Sequence, residues 1–453
     1  MDRTASYQSA RPLLALFAAF GAGLTRPGFL SALVVFAGWI ATAGRHAVTQ
    51  ALVATDVARR RHHEAFHRFF SRGTWDPDNL CRILFDTLVK SWLPCGPICA
   101  AIDDTLAPKK GPKIFGIGTH LDAVTSTKKH KNFRFGHVWV VLSIIVKFPC
   151  FNRPWAIPVL FRLYRSTKDC RKANDEHIKK TELAREMLEV LSKWTCNREV
   201  IVLADEGYGN HTVVHALPQN VTVVASMRAD AVLTEKAPSR SGTPRGRPRL
   251  RGERLPSPAA LANDGTRPWS KCHVFTYGSK RVIHYKTLLA QWYTVTGARL
   301  LRVVVVRTDE GNKKFRVFFS TDLNLSVVSI IERYSWRWSI EVCFRDLKQE
   351  LGFAESQART RNAVNRTAPF VGLIYGTLVL WFAGGAHATP LAAPPIRPWY
   401  SHKKSFSFAD IVRAAQRALA SIDILDPGPF DADHAEIPRS TTRALPIIEP
   451  APA

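Results

Sequence analysis

The hydrophobic pattern divides the chain into a helical beginning, a mixed middle and a helical end. Within residues 1–90, apolar positions recur at helical spacing between Gly, Pro and Asp breakers, and they predict helices at 13–23, 29–42, 59–70 and 79–91. We interpret this part as an all-α module.

The middle of the chain has the short apolar runs that are typical of strands. They lie at 98–103, 138–148 and 155–164, and a long amphipathic helix follows at 178–194. A strand at 199–205, a short helix at 211–217 and a strand at 221–227 complete the series. This order predicts a mixed α/β sheet, two of whose strands end in acid, at Asp103-Asp104 and at Asp205.

A basic segment rich in Pro, Gly and Ser then interrupts the pattern at 238–258. Its Arg245, Arg247 and Arg249 lie in a sequence that resembles an AT-hook, which binds the minor groove. The preferred interpretation is a flexible linker that contacts only phosphates, and groove-specific binding is the alternative. Further strands are predicted at 273–277, 281–285, 300–307 and 315–320, and helices at 327–351, 369–383 and 407–421.

The net charge of the chain indicates a binding partner. The 453 residues carry 63 Lys and Arg against 37 Asp and Glu, a formal charge of +26, in clusters spread along the chain. A polyanion such as DNA is the expected partner. Eight scattered cysteines without CxxC spacing favour a reducing, cytoplasmic compartment.

One stretch has the hydrophobicity of a membrane segment. Residues 13–43 are apolar, but Thr25-Arg26-Pro27-Gly28 divides them into two pieces that are each short for a bilayer of about 30 Å. We interpret them as two buried helices, and we expect no membrane association; a membrane anchor or an uncleaved signal is the alternative.

The predicted helix at 327–351 carries the most informative chemistry. At about 100° per residue, Tyr334, Arg337, Glu341 and Lys348 fall within an arc of roughly 60°. A carboxylate beside a phenol, a guanidinium and an ammonium is suited to a site that holds both a cation and phosphate. A solvated helix face with an Arg337–Glu341 ion pair is the alternative.

The acidic residues at the ends of two predicted strands favour a cation and phosphate site over a solvated helix face. Asp103, or its neighbour Asp104, could join Asp205 and Glu341 in holding two Mg²⁺, which would activate a water or a 3′-hydroxyl for in-line displacement. The alternatives are a turn at Asp205 before Glu206-Gly207 and a cap at Asp104.

These residues resemble the insertion-sequence DDE transposases, in particular the insertion sequence 701-like branch, whose helix signature is Tyr-x2-Arg-x3-Glu-x6-Lys. The signature is complete here, and Ile102-Asp103-Asp104-Thr105 and Leu203-Ala204-Asp205-Glu206-Gly207-Tyr208 match the two Asp motifs. The resemblance implies a ribonuclease H-like fold, DNA strand cleavage and strand transfer with Mg²⁺ or Mn²⁺, and a homodimer on DNA. It also implies a bacterial cytoplasmic protein that joins the nucleoid when it acts.

Residue by residue, the resemblance implies a metal-binding triad of Asp103, Asp205 and Glu341, with Asp104 as the alternative first ligand. Tyr334, Arg337 and Lys348 would contact DNA phosphates, and Arg245, Arg247 and Arg249 are further candidate DNA contacts. Trp269 and Trp292 are candidates for stacking a flipped base.

The expected architecture is therefore α/β, a ribonuclease H-like catalytic core with a β-rich insertion between an all-α N-terminal module and C-terminal helices. The predicted division is a helical DNA-binding module at 1–95, a catalytic domain at 96–228 and 322–358, the insertion with its basic linker at 229–321, a helical region at 359–437 and a disordered tail at 438–453.

Two rival functions stay open. The first is a DDE-type nuclease or an inactive DNA-binding relative. The second is a zinc metalloprotease, because His63-Glu64-Ala65-Phe66-His67 fits HExxH. The motif follows three arginines, and no third ligand is evident in the sequence, so partly exposed helical histidines near phosphates are the preferred interpretation.

Overall fold

The N-terminal part is helical, as predicted. The computed structural model describes residues 3–127, 129–238, 249–307, 314–395, 399, 405–420 and 422–425. Within them, the helices before the first strand are α1 (Arg3–Ala18), α2 (Arg26–Ala41), α3 (Val48–Ala54), α4 (Glu64–Ser71) and α5 (Pro77–Trp92). The predicted helix at 59–70 is wrong at its start, because α4 begins only at Glu64.

Local sequence explains where these helices begin. The Thr25 side chain accepts a hydrogen bond from Gly28 N before α2, and the Asp76 side chain accepts one from Asn79 N before α5. Each side chain satisfies one of the unpaired N–H groups of a helix start. Residues 31–40 of α2 are all buried, which agrees with the interpretation of the apolar stretch as protein core.

The strands form one sheet. They are β1 (Ile98–Pro108), β2 (Gly118–Leu121), β3 (Phe133–Val146), β4 (Trp155–Tyr164), β5 (Val200–Ala204), β6 (Val221–Ser226), β7 (Ser270–Thr276), β8 (Ser279–Gln291), β9 (Leu300–Arg307) and β10 (Arg316–Ser320). The order is β2-β3-β1-β5-β6-β10-β9-β8-β7, and β4 also pairs with β3. Strands β1, β5 and β6 are parallel, whereas β3 and β10 run antiparallel to their neighbours.

Short helices connect these strands. They are α6 (Thr167–Ala173), α7 (Lys180–Trp194), α8 (His211–Val214), α9 (Pro258–Asn263) and α10 (Tyr293–Thr296). Helix α7 buries Leu183, Met187, Leu188 and Leu191, the apolar stripe that its sequence period predicts.

The β-rich stretch after β6 continues the central sheet. Strand β10 pairs with β6, with Phe319 opposite Ala225, and β9, β8 and β7 follow outward in turn. The insertion is thus joined to the core through backbone hydrogen bonds. The domain boundaries given above stay a prediction.

The C-terminal part returns to helices: α11 (Val327–Trp336), α12 (Trp338–Glu350), α13 (Arg361–Ala383) and α14 (Phe408–Leu419). Of the described helices, α13 has the length and composition to cross a membrane, but 94% of its most apolar window is buried inside the protein. It begins earlier than predicted, after the capping residue Thr360, and Pro369 lies within it.

The predicted α/β class, with a central sheet and helices before and after it, is confirmed. The predicted tail at 438–453 lies outside the described residues.

Candidate active site

The two strand-end acids are neighbours across the sheet. Strands β1 and β5 are parallel with Ala101 opposite Leu203, so two residues later Asp103 and Asp205 lie at the same level. Both side chains are only partly buried. The Asp205 carboxylate also accepts a hydrogen bond from Tyr208 N at 3.0 Å, which closes the turn after β5.

The closeness of the two carboxylates changes their chemistry. Burial and the neighbouring Asp205 carboxylate raise the pKa of Asp103 to about 7, although Arg337 acts in the opposite direction. The pair therefore concentrates negative charge that a cation would neutralise.

Arg337 joins the pair to the signature helix. Its Nη1 donates to Asp103 Oδ2 at 3.0 Å and its Nη2 donates to Glu341 Oε1 at 2.5 Å. Burial lowers the pKa of Arg337, but the surrounding acidic groups, Asp103 foremost, outweigh this effect and the pKa is raised. Its buried Nε has no hydrogen-bond partner among the described residues.

Asp104 points to different partners. Its carboxylate accepts from Lys180 Nζ at 2.7 Å and from the Tyr208 hydroxyl at 2.8 Å. Burial and the Asp104 carboxylate raise the pKa of Tyr208, which keeps its hydroxyl protonated as a donor. The geometry thus separates the two acids: Asp103 contacts the signature helix, and Asp104 is neutralised by Lys180.

Two of these contacts were not singled out in the sequence. Lys180 follows a run of charged residues, and nothing in that run distinguishes it from its neighbours. Tyr208 carried a signal, since it is the aromatic residue of the Asp205 motif, but its contact with Asp104 depends on the packing of β5 beside β1.

The other signature residues are placed differently. Tyr334 packs against Phe318 with ring centroids 4.3 Å apart, and the Arg337 guanidinium carbon lies 5.9 Å from the Tyr334 ring. Lys348 lies near Asp122, which follows β2; burial lowers its pKa and Asp122 opposes this. The structure therefore brings Asp103, Asp205, Arg337 and Glu341 together, with Tyr334 beside them and Lys348 further along the helix.

The remaining candidates are dispersed. Arg249 is exposed, and Arg245 and Arg247 lie outside the described residues. Trp292 is buried against Phe319, so its ring is part of the core. Trp269 is partly buried, between the cations of Lys286 and Arg307 at 4.8 and 4.2 Å from its ring.

The HExxH residues show the geometry of an ordinary helix start. Glu64 binds Arg68 at 2.8 Å, and the His63 and His67 rings are 5.9 Å apart and nearly perpendicular. In the described part of the chain, no three His, Cys, Asp or Glu side chains converge closely enough to hold a metal ion.

The same criterion bears on the acidic site. Asp103 and Asp205 form a pair, whereas Glu341 reaches Asp103 only through Arg337. Carboxylate oxygens are the ligands that Mg²⁺ prefers, and the raised pKa of Asp103 marks a charge that such a cation would offset. The pair fits a divalent metal, and Glu341 would complete the set only if Arg337 released it.

Comparison with known proteins defines the class. Residues 18–288 match the family described as DDE superfamily endonuclease, which is more than half of the chain, and the match includes Asp103 and Asp205. The protein therefore belongs to the DDE superfamily endonucleases. The match ends before Glu341, so the third acid is assigned from its sequence motif and position alone.

A solved structure is also similar. It is the cryo-EM structure of a piggyBac transposase synaptic complex with hairpin DNA, with 12% identity, a TM-score of 0.41, and coverage of 92% of this chain and 74% of that one. A search of curated proteins found no match.

Proposed function

We propose that this DDE-family protein is the transposase of an insertion sequence of the 701-like branch, and that it cleaves DNA strands and transfers them to a target. The observation that supports the proposal most is the meeting of Asp103 and Asp205 at one level of the sheet with Arg337 and Glu341 of the complete signature helix.

In this proposal Asp103, Asp205 and Glu341 would hold Mg²⁺, for which Mn²⁺ could substitute. The bound metal would activate a water or a DNA 3′-hydroxyl as the nucleophile at neutral pH and offset the charge on the leaving oxygen. Asp104 would serve as a structural acid, because Lys180 and Tyr208 already neutralise and orient it.

The cationic residues would position DNA. A guanidinium fork fits phosphate oxygens as well as carboxylates, so Arg337 would contact a phosphate near the scissile bond, beside Tyr334. Lys348, Arg245, Arg247 and Arg249 would contact phosphates further away. We further propose that the protein acts as a homodimer on DNA in the bacterial cytoplasm, without membrane association.

The test is cleavage of a supercoiled plasmid that carries the native sequences flanking the coding region, incubated with the protein and Mg²⁺. We expect nicked and cut ends together with strand-transfer products. Asp103→Asn, Asp205→Asn and Glu341→Gln should each abolish them. Asp104→Asn should retain activity, as should the control Asp230→Asn, whose exposed acid pairs with Arg228.

The products distinguish the rivals. Cleaved ends without strand transfer would identify a nuclease, and DNA binding without any metal-dependent cleavage would identify an inactive relative. If Asp104→Asn is inactive and Asp103→Asn active, the proposed first ligand is wrong.

A further inference from the structure

Two aromatic side chains stand in solvent at the start of β3. Phe133 is 63% exposed and Phe135 is 39% exposed, and alternation along the strand places them on one face. Leu121, which is opposite Phe133 on β2, is 45% exposed and extends the same face. We call these three residues the hairpin platform. An exposed apolar patch of this kind marks a contact site.

Cations surround the platform. Lys129 and Lys131 are exposed in the turn between β2 and β3, and Arg134, which separates the two phenylalanines in sequence, lies on the opposite face of the strand. Phe135 and Arg134 also line a cavity of about 700 Å³, which we call the basic groove. Its other cations are Arg45, Lys109, Lys110 and Arg359.

The acids nearby do not balance this charge. Glu355 lines the groove and contributes one negative charge, against the five cations that line it. Asp122 binds Arg134 at 2.8 Å. Burial, and after it the neighbouring Arg45, lower the pKa of Lys109 to about 8. The groove is therefore positive and complementary to a polyanion.

The platform lies within reach of the acidic site. On β3, Val141 is opposite Asp103 and lies on the same face as Phe135, six positions away along the strand, which is roughly 20 Å. Asp122, which follows the platform residue Leu121, is the acid near Lys348 of the signature helix. DNA bound at the platform would thus reach the carboxylates after a few nucleotides.

We propose that the hairpin platform and the basic groove bind single-stranded or unpaired DNA, with bases stacked on Phe133 and Phe135 and phosphates in the groove. Aromatic rings stack on base faces, and a duplex covers those faces with neighbouring base pairs. Unpaired DNA is therefore the form that this surface recognises. The inference rests on the proposed function, since it requires that the chain acts on DNA.

The test is fluorescence anisotropy of a labelled single-stranded oligonucleotide and of the corresponding duplex, with the full-length protein in EDTA. The double variant Phe133→Ala/Phe135→Ala should weaken single-strand binding about tenfold or more and duplex binding less than about twofold, because base stacking contributes substantially for each base. The single variant Phe133→Ala should show part of the loss, and it removes the more exposed ring.

Two controls isolate the surface. Phe275→Ala removes a ring that is 48% exposed on β7, at the opposite edge of the sheet, and should leave both affinities unchanged. Lys129→Ala/Lys131→Ala should make the negative slope of log affinity against log salt shallower by about 1.4 for a single strand. The control Lys193→Ala, at an exposed lysine elsewhere, should leave the slope unchanged.

The outcomes separate this proposal from the previous one. Unchanged single-strand affinity in both phenylalanine variants, or an equal loss for single strand and duplex, overturns the platform. An equal loss in Phe275→Ala does so as well. The binding assay contains EDTA and therefore no free divalent metal. A failure of the catalytic proposal would appear only in the cleavage assay and would leave these affinities unaffected.

Discussion

Arg337 contacts two of the three predicted metal ligands. Its fork reaches Asp103 and Glu341 at once, with separate nitrogens. The contact with Glu341 follows from the spacing of four residues along a helix, and it was expected as part of the alternative, a solvated helix face. The contact with Asp103 was not predictable, because it depends on how the helix packs across β1.

This contact leads to a prediction for two variants. Arg337→Lys keeps the charge but has one ammonium, which cannot serve two acids or two phosphate oxygens as a fork does. We expect cleavage to fall roughly a hundredfold, with weaker end complexes and retained Mn²⁺ binding, as measured by electron paramagnetic resonance. Glu341→Gln should bind DNA ends and not cut, even with Mn²⁺. Lys348→Arg is the control on the same helix, and it should reduce cleavage less, because an ammonium acts on phosphate chiefly as a point charge.

Normal cleavage by Glu341→Gln, together with unchanged end binding by Arg337→Lys, would contradict the assignment. The helix would then present only an ion pair.

His137 makes stability depend on pH. It is buried, its Nε2 bonds Phe115 O at 2.9 Å, and burial lowers its pKa to about 4. The unfolded chain therefore binds the proton first as pH falls below about 6.5, and stability decreases down to about pH 4. Between pH 7 and 5 we expect a loss of about 2 kcal/mol from this residue.

The measurement compares melting of the wild type and of His137→Gln at pH 7 and pH 5. The amide can donate the same hydrogen bond without titrating. The wild type should lose more stability than the variant, and equal losses would show that His137 contributes nothing to the pH dependence.

At the scale of elements, the helical period of apolar residues was the most informative signal in the sequence. It did not predict the break in the helix at Arg337. The pattern predicts one helix over 327–351, whereas α11 ends at Trp336 and α12 begins at Trp338. Hydrogen bonds from Arg337 N to Tyr334 O and from Ile340 N to Arg337 O, each across three residues, tighten the turn there. The apolar period continues through the break, so it gives no indication of it.

The helix pair α2 and α3 packs through a glycine. A Cβ built at Gly38 would lie 2.2 Å from Ala51 O, a backbone atom that cannot move without shifting α3. Gly38→Ala should therefore lower the stability by about 1–3 kcal/mol, as overpacked sites do. Gly44→Ala is the control, since nothing lies within 4 Å of its Cβ. Denaturant unfolding of both variants is the measurement, and equal midpoints would show that the two helices separate at little cost.

At the scale of the whole molecule, the sequence predicted the class of architecture and the order of its parts. Alternation and apolar runs located most strands, and the charge predicted a polyanionic partner. The joining of β10 to β6 was not predictable, because strand pairing depends on contacts between residues 92 or more positions apart. The exposed hairpin platform was missed for a related reason. Phenylalanines are typical of the core, and the sequence does not show that the pairing of β3 with β1 ends at Gly136, just after the exposed Phe133 and Phe135.

The net charge of +26 yields a prediction for DNA binding as a whole. Each neutralised phosphate contributes about −0.9 to the slope of log affinity against log salt on duplex DNA, so affinity should fall steeply with salt. If Arg245, Arg247 and Arg249 contact phosphates, changing all three to Ser should flatten the slope by about 2.7. The matched control changes the exposed Lys90, Lys193 and Arg299 to Ser, which removes the same charge elsewhere. Because long-range attraction depends on total charge, it should change equally in both triple variants, and only direct contacts should separate their slopes. Equal slopes would mean that the basic segment does not touch DNA and that its charge acts only as part of the general field.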